Sequence, residues 1–503
     1  MSNDTLPKQH PTYPHKAALA EKLVYADDGV IYINGIHKRD LDVQTEIANI
    51  RRSSTTEVSV QFVMLSQIEA IYGQDPSLIA KTANNPQDSQ TNRQEYLIRL
   101  MRTAAHKGAS DIHMVVGGSK TKIQFRIHGE LHLENETTTE EGEFMMSALY
   151  NSMIDSSSDS DFNRGKRQQG RLRKEFAAKA GVWSARLATT PAESGVAMAL
   201  RLLYKRRSGR PSTAQLGYLP EQVAILNETK RRGKGICIFS GSTGSGKSTT
   251  LECLLSEYSL ETGGRRRVLT IEHPVEFPIE GAVQTPIIDR NGADDDGVAA
   301  EFASSITHSM RLDPDIMMVG EVRSVGSARA AFAAAMTGHG MYTTLHANDW
   351  LTVFDRLRDL GITDSLLYDP TLVRCLVNQS LARTLCPHCR IKFSDHSHQV
   401  DDALGARIER FCTPDTVYLR GPGCDKCLGG INGRTVVAEV CSPTRGLMEA
   451  YQKSKFAAYD YWKAHGGITK CSHLTRRINE GLIDPAMGEL DVCLLDTDEL
   501  LMA

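Results

Sequence analysis

The segment that most constrains the fold of this chain is Gly241–Ser248, which reads GSTGSGKS. The apolar run Gly235–Ser240 leads into it, as expected of a buried strand. After it, apolar residues recur at the spacing of one helix face, namely Leu251, Leu254, Leu255 and Tyr258. The order strand, glycine loop, helix is typical of a phosphate-binding loop, or P-loop.

Each part of this loop has a chemical reason. The glycines allow backbone N–H groups to turn inward around phosphate oxygens, and the start of the helix adds a partial positive charge. Lys247 can reach the terminal phosphates, and the Ser248 hydroxyl can take a position beside Mg²⁺. We therefore predict a nucleotide-binding site. Its residues are Gly241, Ser242, Thr243, Gly244, Ser245, Gly246, Lys247, Ser248 and Thr249.

The length of 503 residues is too great for one hydrophobic core, so we expect about three domains. The net charge of −3 argues against a large basic face for nucleic acid, and no nucleic-acid partner is expected.

The longest apolar stretch, Ala328–Thr337, contains Arg329 and is too short to cross a bilayer. Residues 1–23 lack the apolar core of a signal peptide. These features predict a cytosolic protein without a transmembrane segment of its own.

Composition and periodicity divide the chain into five regions. We expect a partner-binding region at 1–92 that ends in a polar linker over 84–92, a small α+β domain at 93–206, a P-loop domain at 207–375, a tetracysteine module at 376–440 and a helical region at 441–503. Strands alternate with helices between about residues 210 and 375. This alternation predicts an α/β domain with a mostly parallel sheet.

Two further apolar strands end in carboxylates. Arg267–Glu272 ends in Glu272, with Glu276 shortly after it, and Asp315–Glu321 ends in Glu321. The carboxyl ends of parallel strands share one sheet edge with the P-loop, so both acids are expected beside the nucleotide. One acid there can hold Mg²⁺ while another orients the attacking water. We assign Glu321 to magnesium and Glu272 to water, with Glu276 as the alternative.

Two histidines bound the next predicted strand, Met341–His346. His346 stands at the carboxyl end, where it could contact the terminal phosphate, and His339 precedes the strand as a second candidate. A lone histidine is more often structural than catalytic, and that alternative stays open for both.

The motifs downstream of the P-loop resemble those of one family. They are Leu269–Glu272 with Pro274 and Glu276, Arg311–Arg323, Thr337–His339 and Thr344–His346. In this order they are similar to the secretion-superfamily ATPases that drive type II secretion and type IV pilus assembly. The resemblance implies a RecA-like P-loop NTPase domain after a smaller, PAS-like domain. It also implies ATP hydrolysis with Mg²⁺ and a homohexamer.

The resemblance extends upstream of the P-loop. It includes Ala109–His113, Arg126–Gly129, Gln169–Arg171 and the arginine-bearing segment from 186 to 203. In the family this small domain closes over the nucleotide. By resemblance, Arg186 and Arg201 match arginines that reach the phosphates, where guanidinium groups can neutralise developing charge.

The cysteines form a second constellation. Cys386-Pro-His-Cys389 and Cys424-Asp-Lys-Cys427 are two C-x-x-C turns in a chain with eleven cysteines. Two such turns can close a tetrahedral site of four thiolates, which suits Zn²⁺ and leaves no position for a catalytic water. Two disulfides or unrelated free thiols are the alternatives.

The tetracysteine module favours the assembly type within the resembled family, because the retraction type lacks it. We therefore expect a motor that hydrolyses ATP to extend a type IV pilus or a type II secretion pseudopilus. It would act at the cytoplasmic face of the inner membrane on a membrane platform protein. A non-hydrolysing assembly scaffold is one alternative, since His273 and Ser324 replace aspartates of the family. A DNA-conjugation or translocation ATPase is the other.

Overall fold

The computed structural model describes residues 19, 22–34, 40–54, 58–63, 86–156, 161–204, 211–287 and 295–500. The chain divides into two compact units, Met1–Tyr96 and Leu97–Ala503.

Between residues 22 and 63, the described part of the first unit is a small sheet with one crossover helix. Its elements are β1 (Leu23–Tyr25), β2 (Val30–Asn34), α1 (Leu41–Ser53) and β3 (Ser59–Val63). Strand β2 pairs antiparallel with β1 and parallel with β3. Ile31 and Ile33 of β2 pack against Val43, Ile47 and Ile50 of α1, so this unit has a core of its own.

Helix α2 (Pro86–His106) runs through the segment expected to be a linker and through the expected boundary between residues 92 and 93. Pro86 occupies the first helical position, where the missing N–H costs no hydrogen bond. Leu97, Leu100, Met101 and Ala104 form the buried stripe further along. The polar composition of 86–92 therefore marks the first turns of a helix; residues 84 and 85 lie outside the described residues.

An antiparallel sheet forms the small domain of the second unit. Its elements are β4 (Ala109–Gly117), β5 (Lys120–Ile127), β6 (Glu130–Thr137), α3 (Thr139–Ala148) with a π-helical turn at Leu149–Met153, β7 (Ile154–Ser156), β8 (Gln168–Leu172), α4 (Lys174–Ala180), β9 (Ser184–Ala192) and β10 (Gly195–Leu203). Within the described residues the strand order is β6-β5-β4-β10-β9-β8-β7. Arg171, Arg186 and Arg201 stand in register on β8, β9 and β10, so they share one face of the sheet.

A mostly parallel sheet forms the centre of the second unit. Its strands are β11 (Gly235–Ser240), β12 (Val268–Glu272), β13 (Ala282–Pro286), β14 (Ile316–Val319), β15 (Gly340–Leu345) and β16 (Val373–Leu385), joined by β19 (Ile431–Cys441). Its helices are α5 (Pro220–Arg232), α6 (Lys247–Glu261), α7 (Asp295–Ser309), α8 (Val325–Met336), α9 (Thr352–Asp359) and α10 (Asp364–Leu367).

The strand order in the described part of this sheet is β13-β12-β14-β15-β11-β16-β19, and β19 alone of these is antiparallel to its neighbour. Ile236 and Ile238 of β11 face one hydrophobic core, while Cys237 and Phe239 face the other. Both faces are therefore covered, which explains why the strand is apolar throughout. The α/β fold expected from the sequence is confirmed.

The expected boundary between residues 375 and 376 lies inside β16. Strands β16 and β19 pair over Leu376–Leu385 and extend the central sheet. The cysteine module is thus an insertion between two strands of the P-loop domain. The predicted boundary left Leu376–Leu385 of β16, and β19 with it, outside that domain because these segments follow its last recognisable motif. The insertion contains β17 (Ile391–Lys392), α11 (Phe393–His396), α12 (Asp402–Phe411) and β18 (Tyr418–Leu419).

Five short helices follow β19 in the described residues. They are α13 (Arg445–Lys453), α14 (Lys455–Ala464), α15 (Lys470–Asn479), α16 (Pro485–Asp491) and α17 (Thr497–Leu500). Helix α15 packs against β19, and α16 packs against β16. In the part of the chain that the structure describes, no helix is long and apolar enough to span a membrane.

Candidate active site

The glycine loop joins the end of β11 to the start of α6. Gly241 has a φ of 139°, and a Cβ added there would lie 2.3 Å from the backbone oxygen of Gln379 on β16. Gly246 caps the helix with a φ of 87°. A side chain at either position would strain the backbone, so the glycines of the motif are required by the geometry of the loop.

Lys247 begins the helix and folds back over the loop. Its Nζ donates to the carbonyl oxygens of Gly241, at 2.8 Å, and Ser242, at 2.9 Å. Burial lowers the pKa of Lys247, and the negative charge of Glu321 opposes that shift. The ammonium therefore lies at the mouth of the loop, and the exposed Ser248 is next to it in the first turn.

The two strand-end carboxylates lie on neighbouring strands. Strands β12 and β14 pair in parallel, and Gly320, just before Glu321, donates its N–H to the Ile271 carbonyl at 2.9 Å. A Cβ at Gly320 would lie 3.6 Å from the Cα of Glu272, so the two segments are in close contact. Glu272 is the last residue of β12 and Glu321 lies two residues beyond β14, both at the edge that carries the glycine loop.

Glu272 is the more buried of the two carboxylates. Its Oε1 accepts hydrogen bonds from Thr270 Oγ1 at 2.7 Å and from Gln284 Nε2 at 2.9 Å. Burial raises the pKa of Glu272, and these two hydrogen bonds lower it in part. A carboxylate held in one orientation with a raised pKa is suited to act as a base near neutral pH.

Glu321 contacts the histidine at the end of β15. His346 Nε2 lies 3.2 Å from Glu321 Oε1, and Arg323 donates to Glu321 Oε2 at 2.7 Å. Thr344 Oγ1 also donates to the Gly320 carbonyl at 2.6 Å. These contacts hold His346 and Glu321 together at the carboxyl edge of the sheet. Lys247 is close enough for the charge of Glu321 to raise its pKa.

His339 lies at the opposite edge. It precedes β15, and its carbonyl accepts from the N–H of Gly235, at the start of β11, at 3.2 Å. Its Nδ1 contacts the Thr337 hydroxyl at 3.0 Å. At about 3.3 Å per residue, the strand separates His339 from His346 by about 20 Å. The sequence-based assignment of His339 to the catalytic site is therefore corrected: within this chain it belongs to a turn.

Arg186 contacts the loop that follows β12. Its Nη2 lies 3.3 Å from Glu276 Oε1 and donates to the Pro274 carbonyl at 3.3 Å. Burial lowers the pKa of Arg186, and the charge of Glu276 opposes that shift. The alternative water-activating acid, Glu276, is therefore engaged in an ion pair, whereas Glu272 forms none with the residues that the structure describes.

The other sheet arginines have different partners. Arg201 pairs with Asp111 at 2.9 Å. Arg171 donates from Nε to Ser184 Oγ at 2.7 Å and from Nη2 to the Val275 carbonyl at 3.5 Å. Arg171 thus reaches the same loop as Arg186, although it was not among the predicted site residues. Its place in the motif Gln169–Arg171 was the signal available in the sequence.

The four cysteines of the two C-x-x-C turns come together. Their Sγ atoms all lie within 4.8 Å of one another. The Sγ atoms of Cys386 and Cys424 are 3.8 Å apart, and those of Cys389 and Cys427 are 3.6 Å apart. A tetrahedral site with metal–sulfur bonds of about 2.3 Å has edges of about 3.8 Å. The donor set and spacing therefore fit a tetrahedral metal ion with a preference for thiolates.

Comparison with known proteins gives a family match over most of the chain. The family model described as type II/IV secretion system protein matches residues 87–483. The type II secretion system protein E of Aeromonas hydrophila is 33% identical over 353 residues, which cover 70% of this chain and 66% of that protein. The type IV pilus assembly ATPase TfpB of Acinetobacter baylyi is 34% identical over 345 residues, covering 68% and 55%. The chain thus spans less than two thirds of the length of these relatives.

Among solved structures, the pilus retraction motor PilT with bound ADP is similar. The TM-score is 0.53 at 20% sequence identity, and the match covers 81% of this chain and 99% of that one. At this level of identity, the likeness concerns the fold: a small domain followed by a P-loop domain.

Proposed function

We propose that this chain, which belongs to the type II/IV secretion system protein family, is a motor that hydrolyses ATP to extend a type IV pilus or a type II secretion pseudopilus. Its family membership confirms the resemblance in the motifs. The activity is our proposal, and its main support is one juxtaposition: Lys247 of the glycine loop and the acids Glu272 and Glu321 share one sheet edge.

The chemistry we propose begins with the phosphates of ATP in the loop. Lys247 exchanges its two carbonyl acceptors for phosphate oxygens, which carry full negative charge and bind an ammonium more strongly. Glu272, oriented by Thr270 and Gln284, accepts a proton from the water that attacks the terminal phosphorus. The bond to the leaving ADP oxygen breaks as the bond to water forms. His346, beside Glu321, contacts the terminal phosphate.

Ser248 and Glu321 would hold Mg²⁺, since hydroxyl and carboxylate oxygens are the ligands that this ion prefers. When bound, the ion neutralises phosphate charge.

The arginines of the small domain would change partners when the nucleotide binds. Arg186 now pairs with Glu276, and Arg201 pairs with Asp111. Triphosphate offers both guanidinium groups a stronger anionic partner, so we propose that they exchange these carboxylates for phosphate oxygens when the small domain closes. Reopening after product release would then convert hydrolysis into movement.

We propose that Cys386, Cys389, Cys424 and Cys427 hold a structural Zn²⁺ ion. The four sulfur donors leave no open position, so the ion would fix the insertion between β16 and β19 rather than take part in catalysis.

The partners that we propose are a membrane platform protein and further copies of the chain in a homohexamer, at the cytoplasmic face of the inner membrane. Residues 1–92 would bind another component of the machinery. The family membership and the names of the two relatives support this assignment.

The proposal is tested in the native host by replacing the chromosomal copy with Glu272→Gln, which should keep nucleotide binding and lose hydrolysis. We expect surface filaments or secreted substrate proteins to be lost while the variant accumulates to the normal level. The control is Glu175→Gln, an exposed glutamate on α4, which should leave both unchanged.

Wild-type filament numbers and secretion in the Glu272→Gln strain, at a verified absence of ATP turnover, would contradict the motor and favour the scaffold.

A further inference from the structure

We propose that Gln379 is a positioning residue for the nucleotide: from β16 it fixes the phosphate loop in its binding-competent shape. This inference rests on the proposed function, because it concerns the affinity of the same loop for nucleotide phosphates.

Gln379 is fully buried and contacts the loop at both ends. Its backbone oxygen occupies the space that a side chain at Gly241 would need. Its side-chain Nε2 donates to the Ser245 carbonyl at 2.7 Å. Tyr218 donates to the Gln379 Oε1 at 2.5 Å, and Thr250 donates to the same oxygen at 3.2 Å.

The direction of the amide follows from its partners. The Ser245 carbonyl can only accept a hydrogen bond, so it requires the NH₂ group. The Oε1 atom then faces the two hydroxyl groups, which can donate to it. All three contacts are buried, and loss of the amide would leave the Ser245 carbonyl without this donor.

The bond to Ser245 controls where the next N–H group points. In a trans peptide the C=O and N–H groups point in opposite directions. Holding the Ser245 carbonyl against Gln379 therefore aims the N–H of Gly246 away from Gln379. That N–H is one of the donors a phosphate needs at the start of a helix. Without the glutamine, this peptide loses its side-chain restraint, and we expect the Gly246 N–H to be aimed less well at a phosphate.

The test is Gln379→Met in the full-length chain, which keeps the length of the side chain but removes the amide. Steady-state phosphate release and binding of a fluorescent ADP are measured with Mg²⁺. We expect KM for ATP and Kd for ADP to rise roughly 5- to 100-fold, the effect of one lost hydrogen bond to a buried carbonyl. The turnover number at saturation should change less than about threefold, since Gln379 does not contact the acids.

The matched control is Gln168→Met. Gln168 is also buried, and its side chain bonds Asn163 and Asp161 in the small domain. It should lose a similar amount of thermal stability with KM unchanged. Equal effects of the two substitutions on KM, or no effect of Gln379→Met, would overturn the inference. Failure of the wild-type chain to bind nucleotide would instead overturn the proposed function and this inference with it.

A second variant separates positioning from folding. Gln379→Glu keeps an acceptor for Tyr218 but places a carboxylate against the Ser245 carbonyl at high pH. Protonation restores a donor, so the loss of ADP affinity relative to wild type should shrink as the pH is lowered. A defect independent of pH in this variant would contradict the role of the amide.

Discussion

Glu439 on β19 is a buried carboxyl whose ionisation we expect to lower the stability of the fold. It is 6% exposed and stands opposite Asn378 of β16. Its Oε1 accepts from the backbone N–H of Lys470 at 3.2 Å, and its Oε2 has no hydrogen-bond partner among the described residues. Burial raises the pKa of Glu439 from 4.5 to about 7; Lys470 opposes the shift, and Asp349 and Asp498 add to it.

The sign of the effect follows from proton binding. Below pH 4.5 the carboxyl is protonated in the folded and unfolded chains alike, and it costs nothing. Between 4.5 and about 7 the unfolded chain ionises while the folded chain keeps its proton, so stability falls as the pH rises. The neutral variant Glu439→Gln avoids this loss. The free energy of unfolding of this variant should exceed that of wild type by about 1 kcal/mol at pH 5 and by about 3 kcal/mol at pH 8.

The assay is urea denaturation of both chains at the two pH values, followed by tryptophan fluorescence. Trp350 and Trp462 pack against each other in the core and report on this part of the fold. The control is Glu449→Gln, an exposed glutamate paired with Arg445, for which no gain with pH is expected. A stability difference between Glu439→Gln and wild type that is the same at both pH values would refute the reasoning.

Three further substitutions test the site. Glu272→Gln should lower phosphate release by about 10²- to 10⁴-fold with little change in ADP affinity. In the wild-type chain the acid limb of the pH–rate profile should lie above the usual pKa of a glutamate, because burial raises the pKa of Glu272; a limb in the usual range would argue against Glu272 as the base. Arg186→Ala should lower the turnover number about 10³-fold or more if the guanidinium stabilises transferring phosphate. Unchanged turnover would contradict that role and leave Arg186 with its contacts to Glu276 and the Pro274 carbonyl. Cys424→Ser should abolish bound zinc, measured by elemental analysis, and lower the melting temperature; zinc retained at one per chain would exclude the four-sulfur site.

The parts of the site that could be predicted are those fixed by local rules. A glycine loop between an apolar strand and a helix predicts a phosphate-binding loop. Parallel strands bring their carboxyl ends to one sheet edge, so Lys247, Glu272 and Glu321 were expected at the same edge. Each C-x-x-C spacing likewise places two thiols on one tight turn, so the four-sulfur site could be predicted from the two turns. These features depend on spacing along the chain.

The features that could not be predicted depend on long-range pairing. Strand β16 joins the sheet beside β11, which brings Gln379 into contact with the glycine loop. A single glutamine in an apolar strand belongs to no recognisable motif, so no signal in the sequence pointed to this contact. The pairing of Glu276 with Arg186 joins the loop after β12 to strand β9 of the small domain. His339 and His346 stand in similar motifs. They flank opposite ends of β15, so they lie at opposite edges of the sheet.

Phosphate release from MgATP by the purified chain, compared between wild type and Lys247→Ala, tests the central assignment most directly. We expect turnover by the wild-type chain and none above background for Lys247→Ala. The control Lys234→Ala changes an exposed lysine just before β11 and should equal wild type. Equal turnover by Lys247→Ala and wild type would show that hydrolysis does not take place at the Gly241–Ser248 loop.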